Sequence, residues 1–281
     1  MSLFPHPGSR ARVLAALALV AATPHAGAQG KDWNVVLSQR LWFANWDQRL
    51  VDVRVVAPPT ATTPAIVNDG WINTSSNKTV PITSLAVRKG PFLATVSKFH
   101  GTSFDSNGLT TSGRSERDEV DVSLGYQAVP GLLVSYIRKT GNISEIDTVD
   151  TAAQFGGPST VRGTANLLGL SGSAGITDRL SLYGNAAAGP GRWAYKEPDG
   201  RVTSVKARYV VGEFGLAYRL ASGLMGGSLD AVTLQAGLRT QSIHVPAVVT
   251  AESTPEIVVV NRQTKGRTTT EGLVLSVGLV F

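Results

Sequence analysis

The chain has 281 residues, of which 42% are hydrophobic and 16% charged, with a formal net charge of +6 and no cysteine. The lack of cysteine excludes disulfides, Cys-bound metals and a lipoprotein anchor. The basic excess is small and spread along the chain, without the Lys, Arg and aromatic clusters typical of nucleic-acid binding, so we expect no nucleic-acid partner.

The first 28 residues have the pattern of a secretory signal peptide. Two Arg residues precede the apolar run Val13–Ala22, which at ten residues is too short to cross a bilayer as a helix. Ala26-Gly27-Ala28 then fits the small-x-small cleavage pattern. We therefore predict a signal peptide over residues 1–28 and a mature domain over residues 29–281.

Ten segments of the mature domain alternate between apolar and polar residues with a period of two, which predicts β-strands. The predicted strands are Trp33–Trp46, Thr79–Arg88, Phe92–His100, Asp118–Ala128, Leu132–Ile143, Thr160–Ala174, Arg179–Trp193, Ser204–Leu220, Leu229–Val245 and Thr268–Phe281. The mature domain contains no run of eighteen apolar residues, so we predict no transmembrane helix.

The connections between the predicted strands alternate in length. Short turns follow the second, fourth, sixth and eighth strands, and long polar loops follow the others, the longest being Asp47–Lys78 and Pro246–Arg267. Within the first of these loops Leu50–Val56 also alternates, and we interpret it as a hairpin or an upward extension of the sheet. Such sorting of connections is typical of an outer-membrane barrel with both termini in the periplasm, and is not expected of a soluble β-sandwich.

The last strand carries a more specific signal. From Thr270 to the C-terminal Phe281, large apolar side chains on one face alternate with small or mixed ones on the other. The residues Thr270, Gly272, Leu275, Val277 and Phe281 resemble the C-terminal assembly signal of Gram-negative outer-membrane β-barrels. The resemblance implies export to the outer membrane of a Gram-negative bacterium, with the barrel-assembly machinery and outer-membrane lipid as partners.

These observations predict an all-β fold, a single antiparallel up-and-down transmembrane barrel of ten strands, with eight and twelve as the alternatives. Aromatic residues near strand ends predict two rings at the membrane interfaces. The periplasmic ring comprises Trp33, Phe92, Tyr126, Tyr218 and Phe281, and the outer ring comprises Trp46, Phe99, Trp193 and Tyr209.

Alternation within the strands also predicts which charged side chains line the barrel lumen. These residues are Arg40, Glu119, Asp121, Glu213, Arg219 and Arg239. In one interpretation they form ion pairs that fill a narrow barrel; in the other they line a small aqueous pore that selects solutes by charge. A barrel of ten strands lies between filled eight-strand barrels and open barrels of sixteen strands, so both interpretations stand.

Three functions follow from these features. The leading hypothesis is a porin-like channel for small solutes with a slight anion preference. The alternative is a structural or adhesive surface barrel with a filled lumen, in which the loops 47–78 and 246–267 form the interaction surface. The third is an outer-rim hydrolase, for which His100, His244 and Asp105 are the only candidates.

The hydrolase hypothesis has weak support in the sequence. Both histidines have a strand parity that points outward, and no enzyme motif is present. Two isolated histidines without a paired carboxylate also do not predict a metal site. We therefore expect a protein that is not an enzyme, with no catalytic residue, no metal and no cofactor.

Overall fold

A computed structural model describes residues 33–57, 66–107, 112–146, 160–196, 200, 202–220, 229–245, 248–253, 258–263 and 267–281. The predicted signal peptide and its cleavage site lie outside these residues. The strands are β1 Trp33–Ala57, β2 Ile66–Lys89, β3 Phe92–Asn107, β4 Ser112–Val129, β5 Leu132–Ile146, β6 Thr160–Gly175, β7 Leu180–Lys196, β8 Val202–Arg219, β9 Ala231–His244, β10 Val248–Ser253, β11 Val258–Gln263 and β12 Arg267–Val280. In the described parts of the chain, no helix is long and apolar enough to cross a membrane.

Ten of these strands, all except β10 and β11, form a closed antiparallel wall. β1 through β9 pair with their neighbours in chain order, and β12 pairs with β9 on one side and β1 on the other. The β1–β12 seam runs from Val36 opposite Val280 to Arg49 opposite Arg267. The predicted all-β, ten-strand up-and-down barrel is thereby confirmed.

β1 and β2 continue far past the barrel wall. They have 25 and 24 residues, whereas a tilted strand needs only about ten residues to cross a membrane. The upper part of β1 pairs with β11, with Asp52 opposite Arg262, and β11 pairs with β10. We call this four-stranded unit, in the order β10-β11-β1-β2, the extracellular sheet.

The extracellular sheet corrects two of the predicted loops. The segments Asp47–Lys78 and Pro246–Arg267 are largely β-structure, and the interpretation of Leu50–Val56 as an upward extension is confirmed. The physical reason is that both segments are rich in Val and Thr, whose branched side chains favour strands. Polar composition alone pointed to loops, but a strand above the membrane can be polar on both faces.

Large apolar side chains point outward from all ten wall strands. Leu124 is 64% exposed, Phe214 is 56% exposed and Leu168 is 71% exposed. A continuous exposed apolar band of this kind is the lipid-facing surface of a membrane barrel. At the end with the short turns, the predicted periplasmic ring is present, because all five of its aromatic side chains are exposed.

The predicted outer aromatic ring is wrong. Trp46, Phe99, Trp193 and Tyr209 are all buried, at 5% exposure or less, and they point into the lumen. Their strand parity explains the result, because Trp46 lies on the same face of β1 as Arg40. The upper half of the lumen is therefore packed with aromatic side chains, and these residues do not mark a membrane interface.

A candidate functional site in the barrel lumen

Most of the charged side chains of the lumen lie in two clusters at different heights. The upper cluster, toward the long connections, consists of Arg117, Glu119, Asp121, Lys139 and Gln241. The lower cluster, toward the short turns, consists of Arg40, Tyr183, Glu213 and Arg239. The period-two alternation of β4, β5, β7, β8, β9 and β1 brings these side chains from distant parts of the chain to the barrel axis.

Glu119 is the centre of the upper cluster. Its carboxylate accepts hydrogen bonds from Arg117 Nε at 2.7 Å, from Lys139 Nζ at 2.6 Å and from Gln241 Nε2 at 3.0 Å. Lys139 Nζ also lies 2.8 Å from Asp121, so two cations are balanced by two carboxylates. Arg117, Glu119 and Lys139 are all buried, so their contacts with one another replace the water that would otherwise hydrate their charges.

Aromatic rings enclose the Arg117 guanidinium. Its central carbon lies 5.3 Å from the ring centroid of Trp46 and 5.3 Å from that of Phe99, within the range of cation–π contacts. Arg117 Nη1 also donates to Thr270 at 2.6 Å, which ties β4 across the lumen to β12. Nearby, Trp193 Nε1 donates to the Tyr209 hydroxyl at 2.6 Å. The aromatic side chains and the ion network thus form one packed layer.

The lower cluster is built around Glu213, whose side chain is fully buried. Arg40 reaches both carboxylate oxygens, at 3.0 and 3.1 Å, in a bidentate pair. Arg239 Nη1 lies 2.9 Å from the same carboxylate, and the Tyr183 hydroxyl donates to it at 3.1 Å. Two guanidinium groups facing one carboxylate leave this part of the lumen with a net positive charge.

Little free space remains beside the upper cluster. A cavity of about 20 Å³ is lined by Glu119, Lys139, Ile143, Trp193 and Tyr209, among others. That volume holds about one water molecule, since a water needs at least about 10–15 Å³. The cavity beside the upper cluster is therefore too small to hold a solute larger than water.

The structure brings five of the six predicted lumen residues into these clusters. Arg40, Glu213 and Arg239 meet in the lower cluster, and Glu119 and Asp121 in the upper one. Arg219 lies apart, at the short-turn end of β8.

Two members of the upper cluster, Arg117 and Lys139, were missed in the sequence analysis. Arg117 could have been found, because it stands two residues before Glu119 and shares its face. The predicted strand begins at Asp118 and therefore does not include Arg117. Lys139 belongs to a strand with apolar residues on both faces, from which no register follows.

The residues considered for a rim enzyme do not come together. His100 Nε2 lies 2.9 Å from the Thr83 hydroxyl on the outer surface, whereas the Asp105 carboxylate pairs with Lys78 at 2.8 Å. His244 lies at the end of β9, with Ser242 Oγ at 3.2 Å. In the described residues no group of three or more His, Asp or Glu side chains is arranged to hold a metal ion.

The fold has counterparts among solved outer-membrane proteins at low sequence identity. The outer membrane protease OmpT from Escherichia coli shares 11% identity over 94% of this chain and 99% of that chain, with a TM-score of 0.48. The translocator domain of the autotransporter NalP from Neisseria meningitidis shares 11% identity over 86% and 88%, with a TM-score of 0.41. A Pseudomonas aeruginosa FadL homologue shares 11% identity over 89% and 90%, with a TM-score of 0.35. No protein-family model and no curated protein matches the chain.

The comparison corrects one expectation. We expected from the sequence that the protein is not an enzyme, but one of the similar barrels is a protease, so this class of fold does not exclude catalysis. The remaining features agree with the resemblance noted in the last strand: a closed wall, an outward apolar band, and charged side chains directed to the axis. The chain is a closed, ten-strand antiparallel β-barrel, an architecture that fits a β-barrel of the Gram-negative outer membrane.

Proposed function

We propose that this protein is a surface barrel with a filled lumen, whose functional part is the extracellular sheet. The observation that carries the proposal is the packed layer formed by the upper cluster with Trp46 and Phe99. A solute crossing the barrel would have to separate the buried ion pairs of Glu119 with Arg117 and Lys139. The long extensions of β1 and β2, by contrast, carry a sheet above the barrel wall. Among the described residues, its end strand β10 pairs on one side only, which leaves an edge to which another molecule could bind.

A porin-like channel is the second candidate, and the lower cluster favours it. Arg40 and Arg239 exceed Glu213 by one positive charge in the half of the lumen that faces the short turns. A low-dielectric wall focuses such a charge, so a pore open at this level would have a slight preference for anions. This hypothesis requires that the upper cluster rearranges to admit solutes.

Single-channel recording distinguishes the two candidates. We expect correctly folded wild-type protein in a planar bilayer to give no long-lived conducting events, because the packed layer blocks the lumen. A variant with Arg117, Glu119 and Lys139 all replaced by Ala removes the ion network and should conduct, which makes it the positive control. Stable wild-type channels with an anion-selective reversal potential would refute the filled-lumen proposal and support the porin-like channel.

We also propose that Phe281 is read by the barrel-assembly machinery. Its backbone joins the seam, since Phe281 N donates to Val35 O at 2.9 Å and Val35 N donates to Phe281 O at 3.2 Å. Its side chain is 40% exposed on the outer surface. The main chain of Phe281 thus closes the end of the seam, while part of its aromatic side chain stays accessible to another protein.

The variant Phe281→Ala keeps both seam hydrogen bonds and removes only the ring. We expect it to fold into lipid vesicles like the wild type, and to reach the outer membrane of cells at a lower level. Heat-modifiable migration in gels measures the first result, and immunoblots of membrane fractions measure the second. Equal levels of variant and wild type in the outer membrane would contradict recognition of the ring.

A further inference from the structure

Four adjacent wall strands, β6 to β9, have an unbalanced charge on their outer surface. Their described residues contain a single acidic side chain, Glu213, and it points into the lumen. Their outer surface nevertheless carries several exposed basic side chains near the long-connection end. We call these, with Arg267 of the adjoining β12, the basic face: Arg162, Arg192, Lys206, Arg208 and Arg267.

The pairing of the strands holds these cations close together. Arg192 is directly opposite Lys206, and Arg208 is directly opposite His244, which in turn is opposite Arg267. Directly opposed residues in an antiparallel sheet have Cβ atoms about 4.5–5.5 Å apart, and diagonal neighbours are about 7–8 Å apart. Arg192 and Lys206 are like charges in directly opposed positions, which destabilises a sheet, and a bound anion would relieve this repulsion.

Two other cations of the barrel, Lys78 and Lys98, each lie beside a carboxylate. Lys98 Nζ on β3 lies 2.8 Å from the Asp118 carboxylate on β4, for example. Among the described residues, no salt bridge joins a carboxylate to Arg162, Arg192, Lys206 or Arg208. On the neighbouring β1, Asp47 lies opposite Thr269 and is thus a diagonal neighbour of Arg267. The nearest outward acid along β12 is Glu271, four residues from Arg267 and thus about 13 Å away along the strand.

The positive charges of the basic face also act on the imidazole of His244. Partial burial lowers the pKa of its imidazole, and the positive charges of Arg267 and Arg208 lower it further. The groups facing the ring are these two arginines from the flanking strands and the Ser242 hydroxyl on its own strand. An anion bound between the arginines would reverse their effect and raise this pKa.

The position of the basic face indicates which kind of anion fits. On β8, the outward residues below Arg208 are Val210, Gly212, Phe214, Leu216 and Tyr218. Ten residues separate Arg208 from Tyr218, which places Arg208 about 26 Å above the periplasmic aromatic ring for a strand tilted by about 40°. The apolar band of such barrels is about 25 Å tall, so Arg208 lies at the headgroup level of the outer leaflet.

We propose that the basic face binds the phosphate groups of a phosphorylated glycolipid in the outer leaflet, with its acyl chains against the apolar surface of β7 and β8. Arg binds phosphate through paired hydrogen bonds, and neighbouring arginines 7–8 Å apart can share one phosphate or hold two. The basic face would bind the phosphates above the apolar band, and the apolar surface of β7 and β8 would contact the acyl chains. A soluble anion would use only the upper half of this surface.

The test uses the full-length folded protein in detergent and measures bound lipid by native mass spectrometry. The probes are bisphosphorylated lipid A, the same lipid with both phosphates removed, and inorganic phosphate. The variant Arg192→Gln/Arg208→Gln loses two cations from the basic face. Arg179→Gln, in the exposed turn at the opposite end of the barrel, is the control for charge.

We expect the wild type and Arg179→Gln to bind phosphorylated lipid A equally, and the double variant to bind it at least about tenfold more weakly, as expected for lost charge-assisted bonds. Without lipid, the double variant should be at least as heat-stable as the wild type, because it relieves repulsion. In the wild type, the NMR-monitored pKa of His244 should rise when phosphorylated lipid A binds. Equal binding of dephosphorylated lipid, no weakening in the double variant, or an equal response to inorganic phosphate would each overturn the proposal.

Discussion

Replacing Glu119 by Leu should destabilise the barrel by about 3–5 kcal/mol, because it leaves Arg117 and Lys139 buried without their main counter-charge. Asp121 would still face Lys139, but Arg117 would keep only Thr270 and the two aromatic rings. Urea titration of the protein in lipid vesicles, followed by tryptophan fluorescence, gives the free energy of unfolding. The same titration at high salt should show little screening, since the cluster is buried.

Glu116→Gln provides the matched control, because Glu116 lies on the same strand but is exposed on the opposite face. We expect a change within about 0.5 kcal/mol for this surface position. The quadruple variant Arg117→Met/Glu119→Leu/Asp121→Asn/Lys139→Met should recover most of the lost stability, since replacing all charges of a buried ion network with neutral groups of similar size is often neutral for stability. Wild-type stability in Glu119→Leu would mean that water, and not Glu119, solvates the two cations.

The second large effect concerns the outer wall. Val122, near the middle of the membrane-spanning part of β4, is 44% exposed on the lipid-facing side, whereas the neighbouring Ser123 faces the lumen. An Arg facing lipid at the bilayer midplane costs about 2–4 kcal/mol. Val122→Arg should therefore impair folding into vesicles much more than Ser123→Arg, whose side chain can extend toward the polar lower lumen.

The folded fraction of both variants can be compared by heat-modifiable gel migration after refolding into vesicles of increasing thickness. The difference between them should grow with bilayer thickness, because a thicker hydrocarbon layer leaves an outward Arg less able to reach water. Equal folding of the two variants would mean that the outer face of β4 does not contact lipid.

The fold followed from the sequence because strand alternation and connection length carry most of the information about a membrane barrel. The lumen was harder to predict. Trp46, Phe99, Trp193 and Tyr209 are aromatic and lie near strand ends, which is the usual pattern of an interfacial ring. Where aromatic side chains line the upper lumen, both faces of a strand are hydrophobic, and hydropathy no longer separates the inner face from the outer face.

Parity within each strand was the stronger signal. Tyr209 is four residues from Glu213, so both side chains point to the lumen if one does. The same rule joins Trp46 to Arg40. No comparable rule predicts that Glu119 meets Gln241, or Arg117 meets Thr270, because those contacts depend on how strands far apart in sequence face each other across the barrel axis.

The seam between β1 and β12 has a consequence for how the barrel is made. It joins Val36 to Val280, which are nearly the two ends of the described chain, so its contacts have the largest sequence separation in the fold. Contacts of that kind form late, because the entropy of closing the intervening chain is offset only after the intervening hairpins have zipped together. Until β12 arrives, β1 and β9 are the open edges of the wall, and loss of β12 leaves a sheet that cannot close. The barrel therefore closes only after β12 has been made and has paired with both β1 and β9.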